Sequence, residues 1–156
     1  MKGSKKVIQA LNDVLAGELV GINQYFLHSK MCKNWGFDRL AEENYKESIG
    51  EMKHASDLTE RILFLEGVPN LQKLGTLHVG ETVPEQLKAD LGLEREAVTK
   101  INKAIALCVA EGDNTSRDLL EDILKSEEEH VDWLEAQLEL VKQVGEANYL
   151  SQQIRS

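Results

Sequence analysis

Two segments of this chain repeat one pattern: Glu51-Met52-Lys53-His54 and Glu127-Glu128-Glu129-His130. Residues three apart lie on one face of an α-helix, so each segment, if helical, presents a carboxylate and an imidazole side by side. Either motif alone is common, and Glu127-Glu128-Glu129 also reads as a solvated charge run. The wider spacing favours chemistry. Glu51 and Glu127 are 76 residues apart, as are His54 and His130, and so is a further carboxylate pair, Glu18 and Glu94. Cys32 and Cys108 share the offset, but nothing is built on that.

Glu18 lies among Leu11, Leu15, Ile22 and Tyr25, on a stripe that should face a core, and Glu94 lies likewise among Leu87, Leu91, Val98 and Ile101. Four acids placed there carry about −4, which an apolar interior tolerates only when it is compensated. Two divalent cations compensate it. Glu51 and Glu127 can bridge such a pair at a separation of about 3.5–4 Å. Glu18 and Glu94 then serve as terminal carboxylates, and His54 and His130 as terminal imidazoles. Mixed oxygen and nitrogen ligation with open positions suits Fe(II) or Mn(II) better than a closed structural zinc site.

Four long helices must bring these groups together. Gly36, Gly67, Gly112 and Gly145 stand where apolar helical patterns fade, each able to take the left-handed conformation that ends a helix. Thr82-Val83-Pro84-Glu85 has the spacing of a capping box, and Thr115-Ser116-Arg117-Asp118 is a weaker version. The helices are expected near 5–35, 39–66, 83–111 and 115–144, with a short fifth one after Gly145. A rod of 28 residues is about 42 Å long. Turns of two or three residues make the first and second helices, and the third and fourth, antiparallel hairpins. The link from Gly67 to Thr82 can span about 50 Å, enough to cross the whole bundle and leave the second and third helices parallel. Its apolar residues, Val68, Leu71, Leu74, Leu77 and Val79, predict that it packs. An all-α, four-helix bundle with one long crossover is the ferritin-like topology, the arrangement of di-iron carboxylate bundles. A single domain over 1–156 is expected.

Composition narrows the partners. Twenty-seven acids against 18 bases leave a formal charge of −9, which disfavours nucleic acid and anionic membranes and suits cations. No apolar run is long enough to span a membrane, and the start, Met1-Lys2-Gly3-Ser4-Lys5-Lys6, does not read as a secretory signal. Cys32 and Cys108 form no short-spaced pair and read as free thiols in a reducing cytoplasm.

At this point the sequence resembles bacterioferritin, the haem-containing branch of the ferritins. The resemblance covers nearly the whole chain and rests on Met1-Lys2-Gly3, Asn23-Gln24-Tyr25-Phe26, Glu51 to His54, Arg61 to Gly67, Ser116 to Leu120 and Glu127 to His130. It implies a di-iron centre on Glu18, Glu51, His54, Glu94, Glu127 and His130. It also implies ferroxidase activity with oxygen or peroxide as oxidant, and a cytoplasmic shell of twenty-four subunits, built from twofold dimers, that stores a ferric mineral. Met52 lies with Tyr45, Ile49 and Ser56 on a second stripe, matched on the first helix by Leu19, Asn23 and Phe26. A lone Met is usually a gap filler. The resemblance makes it the axial ligand of a haem b shared between two subunits, reduced by a bacterioferritin-associated ferredoxin for iron release. Its counterpart at the 76-residue offset is Glu128. Many family members carry a His and an Asp that bind extra iron on the cavity face, where this chain has Lys46 and Gly50.

Several readings stay open beside this one. A haem-binding subunit of a mixed cage, serving electron transfer for iron release, would be expected to show a broken ligand set. A DNA-protecting ferritin relative would often carry a basic tail, and Ser151 to Ser156 is not strongly basic. A di-iron oxygenase or peroxidase could use the same bundle. Tyr25 could tune the site or donate an electron, or simply fill space. His28 and His78 read as solvated or interface residues. Arg117, Asp118, Asp132 and Glu139 could line pores or merely be solvated.

Overall fold

The fold comes from a computed structural model that describes residues 1–155. Ser156, the last residue of the expected domain and tail, lies outside the described residues. Five helices follow one another: α1 (Lys5–Asn34), α2 (Asp38–Phe64), α3 (Val83–Ala110), α4 (Asn114–Val144) and the short α5 (Glu146–Ser151). They match the expected spans to within a residue or two.

Side-chain caps set the starts. Ser4 caps α1 by accepting from Val7 N at 3.4 Å. Thr82 caps α3 by accepting from Glu85 N at 3.3 Å, while the Glu85 carboxylate reaches back to Glu81 N at 2.8 Å. The start of α4 corrects the sequence reading. The cap is Asp113, not Thr115, and its carboxylate accepts from Ser116 N (3.0 Å), Ser116 Oγ (2.7 Å) and Arg61 Nη2 (2.9 Å). Aspartate wins because it satisfies an open helix N–H and pairs with Arg61 of α2 at once. The end of α2 brings a second correction. Glu66, with φ of 64°, takes the left-handed position expected of Gly67. Gly67 answers a packing demand instead: a Cβ there would lie 2.7 Å from Ile8 Cγ2.

Cross-helix hydrogen bonds give the topology. Ser29 Oγ donates to Ala41 O and Ser48 Oγ to Ile22 O, so α1 and α2 are antiparallel. The pairs Cys32–Gln86, Tyr25–Glu94 and Ser4–Glu111 make α1 antiparallel to α3. Arg61–Ser116 and His54–Glu127 do the same for α2 and α4. The second and third helices therefore run parallel, as the long link required. The core is split in two. One apolar cluster centres on Leu11, Leu58, Ile101 and Leu120, the other on Leu40, Leu87, Leu134 and Tyr149. A buried polar layer lies between them.

The crossover departs from expectation. Val68 is 83% exposed, and Leu71, Leu74 and Val79 also face outward. Polar side chains of the bundle hold the segment. Asn70 N donates to Asn12 Oδ1 (2.8 Å), His78 N to Gln24 Oε1 (3.1 Å) and Gly80 N to His28 Nε2 (3.1 Å). An irregular segment has no ladder partners, so its backbone N–H groups take acceptors from α1. His28 is thus fully buried, not solvated, and its Nδ1 lies 3.0 Å from Asp90 Oδ1. His78, by contrast, is exposed. Both cysteines are free and buried. No helix among the described residues is long and apolar enough to cross a membrane.

Candidate metal centre

Each long helix contributes one glutamate near its middle, and all four are buried. Ligand atoms of Glu18, Glu51, His54 and Glu127 lie within 4.8 Å of one another. His54 Nδ1 is 3.1 Å from Glu127 Oε1 and 3.5 Å from Glu18 Oε2. Glu94 adjoins this group beside Glu127. It also accepts a 2.6 Å hydrogen bond from Tyr25 Oη. His130 is 94% buried beside this cluster, with Nδ1 turned 3.1 Å from Glu47 Oε1. Its ring stacks on Trp133 at 5.5 Å and meets the Tyr25 ring edge-on at 5.3 Å.

A small residue makes room for the layer. A Cβ at Gly21, in the buried middle of α1, would lie 3.0 Å from Glu51 Oε2. Glycine inside a helix costs about 1 kcal/mol relative to alanine, so its presence there has a packing reason.

Without a cation the layer holds protons instead. Burial pushes Glu18 up to about 7, against the pull of the neighbouring His54. Burial also carries Glu94 well above the usual carboxylate range, and the neighbouring Glu127 adds to it. Burial opposes charge on His54, but the nearby Glu127 and Glu18 carboxylates win and raise it to about 10. Burial would raise Glu127 too, yet the neighbouring Glu94 and His54 hold it below its ordinary value. Burial drives His130 down to about 4, so it is neutral at physiological pH.

One feature tests whether these residues fit a metal. Among the described residues, six buried side-chain nitrogen and oxygen atoms have no hydrogen-bond partner: both Glu18 oxygens, Glu94 Oε2, Glu127 Oε2, His54 Nδ1 and His130 Nε2. All belong to five of the six residues singled out by the 76-residue offset. Buried polar atoms are normally satisfied, so a cluster of orphaned oxygen and imidazole donors fits divalent cations.

Met52 stands apart from this layer. It is 56% exposed, on an apolar face of α1 and α2 with Phe26, Tyr45 and Ile49. A thioether on an uncovered apolar surface fits a haem iron held between two such faces. Lys46 is exposed and lies 3.9 Å from Glu43. Sequence reasoning missed Glu47 and Asp90. Glu47 stands four residues before Glu51, a spacing that places it on the same face of α2 and could have found it.

A bundle with one crossover and a carboxylate–imidazole layer at mid-height defines a ferritin-like protein. A family profile described as "Ferritin-like domain" matches residues 8–144. Bacterioferritin of Mycobacterium leprae is 50% identical over 152 residues, covering 97% of this chain and 96% of the relative. Bacterioferritin BfrA of Mycobacterium tuberculosis is 48% identical with the same coverage. Bacterioferritin of Streptomyces coelicolor is 45% identical over 97% of this chain and 90% of its own length. The chain belongs to the bacterioferritin family.

Proposed function

We propose that this protein is an iron store and ferroxidase: it takes up Fe(II), oxidises it at the buried centre and deposits Fe(III) as a mineral inside a multi-subunit shell. The observation that carries this reading is the set of six orphaned donor atoms in the middle of an otherwise satisfied core. Glu51 and Glu127 are the bridging carboxylates, Glu18 and Glu94 the terminal ones, and His54 and His130 the imidazole donors. Two iron ions bound there supply one-electron redox chemistry, each Fe(II) yielding one electron to oxygen or peroxide.

The chain's own residues prepare that step. Four carboxylates give the pair of divalent ions a neutral setting in a dry interior. The two apolar clusters above and below exclude water and fix the helices. Tyr25 holds the Glu94 carboxylate by a 2.6 Å hydrogen bond, which restrains its swing. Protons held by Glu18, Glu94 and His54 leave as cations arrive.

The same reading assigns the apolar face around Met52 to a twofold dimer, with Met52 as the haem ligand. It assigns the haem's reduction to a small ferredoxin, the whole chain to one domain, and the protein to the reducing cytoplasm, where two free thiols persist. A purely haem-bearing subunit would need no intact ligand set, and here the set is intact. The decisive experiment compares aerobic Fe(II) oxidation by wild type and Glu94→Ala in stopped flow. Equal rates would overturn the assignment.

A further inference from the structure

A trough of about 990 Å³ runs along α1 and α3, edged by the crossover. Its floor is made of short side chains, among them Ala16 and Gly17 of α1 and Ala89, Gly92 and Ala97 of α3. A Cβ at Gly17 or Gly92 would meet nothing within 4 Å, so the space over both glycines is open. No lining residue belongs to the face around Met52, and none is one of the six donors. The walls are basic in an acidic molecule. Lys73 of the crossover and Lys88, Lys100 and Lys103 of α3 line the trough against Asp13 and Glu96, in a chain whose formal charge is −9. Lys100 pairs with Glu96 at 3.5 Å, but Lys73, Lys88 and Lys103 have no acidic partner among the described residues. Lys88 and Lys103 lie on one helix, about 22 Å apart along its axis.

We propose that this trough docks an amphipathic helix of a partner protein, its apolar stripe on the alanine and glycine floor and its acidic flanks against the lysines. Charge complementarity selects acidic flanks, and it does so only here because the rest of the surface is acidic. Short floor side chains let a helix come close. Lysines spread over about 22 Å match about four helical turns, a longer reach than a small anion has. An extended segment would need partners for its backbone N–H and C=O groups, which two helices cannot supply, whereas a helix satisfies its own. The docking uses none of the buried donors and stands apart from the di-iron reading.

The test is fluorescence anisotropy of a fluorescein-labelled synthetic peptide titrated with the full-length protein. The peptide is a helix of about four turns with leucine and alanine at i, i+3, i+4 and i+7 and glutamate on both flanks. It should bind with a Kd below about 100 µM at low salt and weaken as salt is raised. Gly92→Leu puts a side chain into open space on an exposed helix position. It should fold, keep wild-type Fe(II) oxidation and weaken the peptide at least about tenfold, the scale of one well-placed interface contact. The double variant Lys88→Glu, Lys103→Glu should weaken it comparably through charge alone. No binding of the peptide to wild type, or wild-type binding by both variants, would overturn the proposal. So would equally tight binding of a short single-stranded DNA of the same charge, which would make the patch a general polyanion surface. A changed particle mass for Gly92→Leu would overturn it too, because the occupant would then be a second copy of this chain.

Discussion

Glu94 concentrates the chemistry of the buried layer: it is held by Tyr25, faces Glu127 and keeps an unpaired oxygen. Glu94→Ala should slow Fe(II) oxidation on the order of 100-fold, the upper end of what losing even an outer-shell partner costs. Oxygen consumption measures this. The metal-free variant should melt at a higher temperature than metal-free wild type, because a buried acid without its cation is a burden. Proton uptake and release follow from the same crowding. Glu18 at about 7 and His54 at about 10 hold protons that divalent cations displace, so binding releases protons and affinity rises with pH. Calorimetry in buffers of different ionisation heat measures that release. His54 is raised from 6.5 to about 10. Its contribution to the metal-free fold is therefore complete below about 6.5 and lost as pH climbs towards 10. Melting of metal-free protein at pH 7 and pH 9 should show that loss, and loaded protein should not. At this scale the sequence was readable where spacing carried the signal: the offset of 76 picked out six residues, five of which carry the buried atoms without hydrogen-bond partners. It did not find Glu47 or Asp90, because their partners lie on other helices and no repeat marks them.

Single residues also decide where the elements begin and how closely they approach. Asp113 caps α4 and pairs with Arg61, and its carboxyl sits below 3.8: burial works to raise it, but donors from Ser116 and Arg61 prevail. Asp113→Ala should cost about 1–3 kcal/mol, seen as a lower melting temperature at pH 7. A depressed carboxyl contributes its stability above its unfolded value and loses it as pH falls through the folded one. The gap between wild type and variant should therefore narrow at pH 3. Gly21→Ala should gain helix propensity yet crowd Glu51, since the added Cβ would stand 3.0 Å from Oε2. We expect weaker Co(II) binding with little loss of melting temperature. Helix spans were legible because caps, glycines and apolar periods agreed. The α4 cap was missed because Thr115-Ser116 offered the familiar local pattern, while the winning residue is chosen by Arg61, 52 positions away in sequence.

The whole molecule was legible in its connectivity and not in the surface of its crossover. Counting residues showed that Gly67 to Thr82 could cross the bundle. Counting apolar residues suggested burial, and the tethers proved to be Asn12, Gln24 and His28. In the shell we propose, size exclusion with light scattering should give roughly 420 kDa, twenty-four chains of 17.5 kDa. Met52→Leu should abolish the Soret band and leave that mass and Fe(II) oxidation intact. The outward apolar residues of the crossover carry a further consequence. A newly made subunit is complete in its interior but sticky along one flank, and nothing among the described residues covers that flank. Its fate therefore depends on how soon it meets a sibling. If the proposed shell covers that flank, scarce chains would linger as adhesive monomers within reach of chaperones and proteases, whereas abundant ones would lock together and hide the liability.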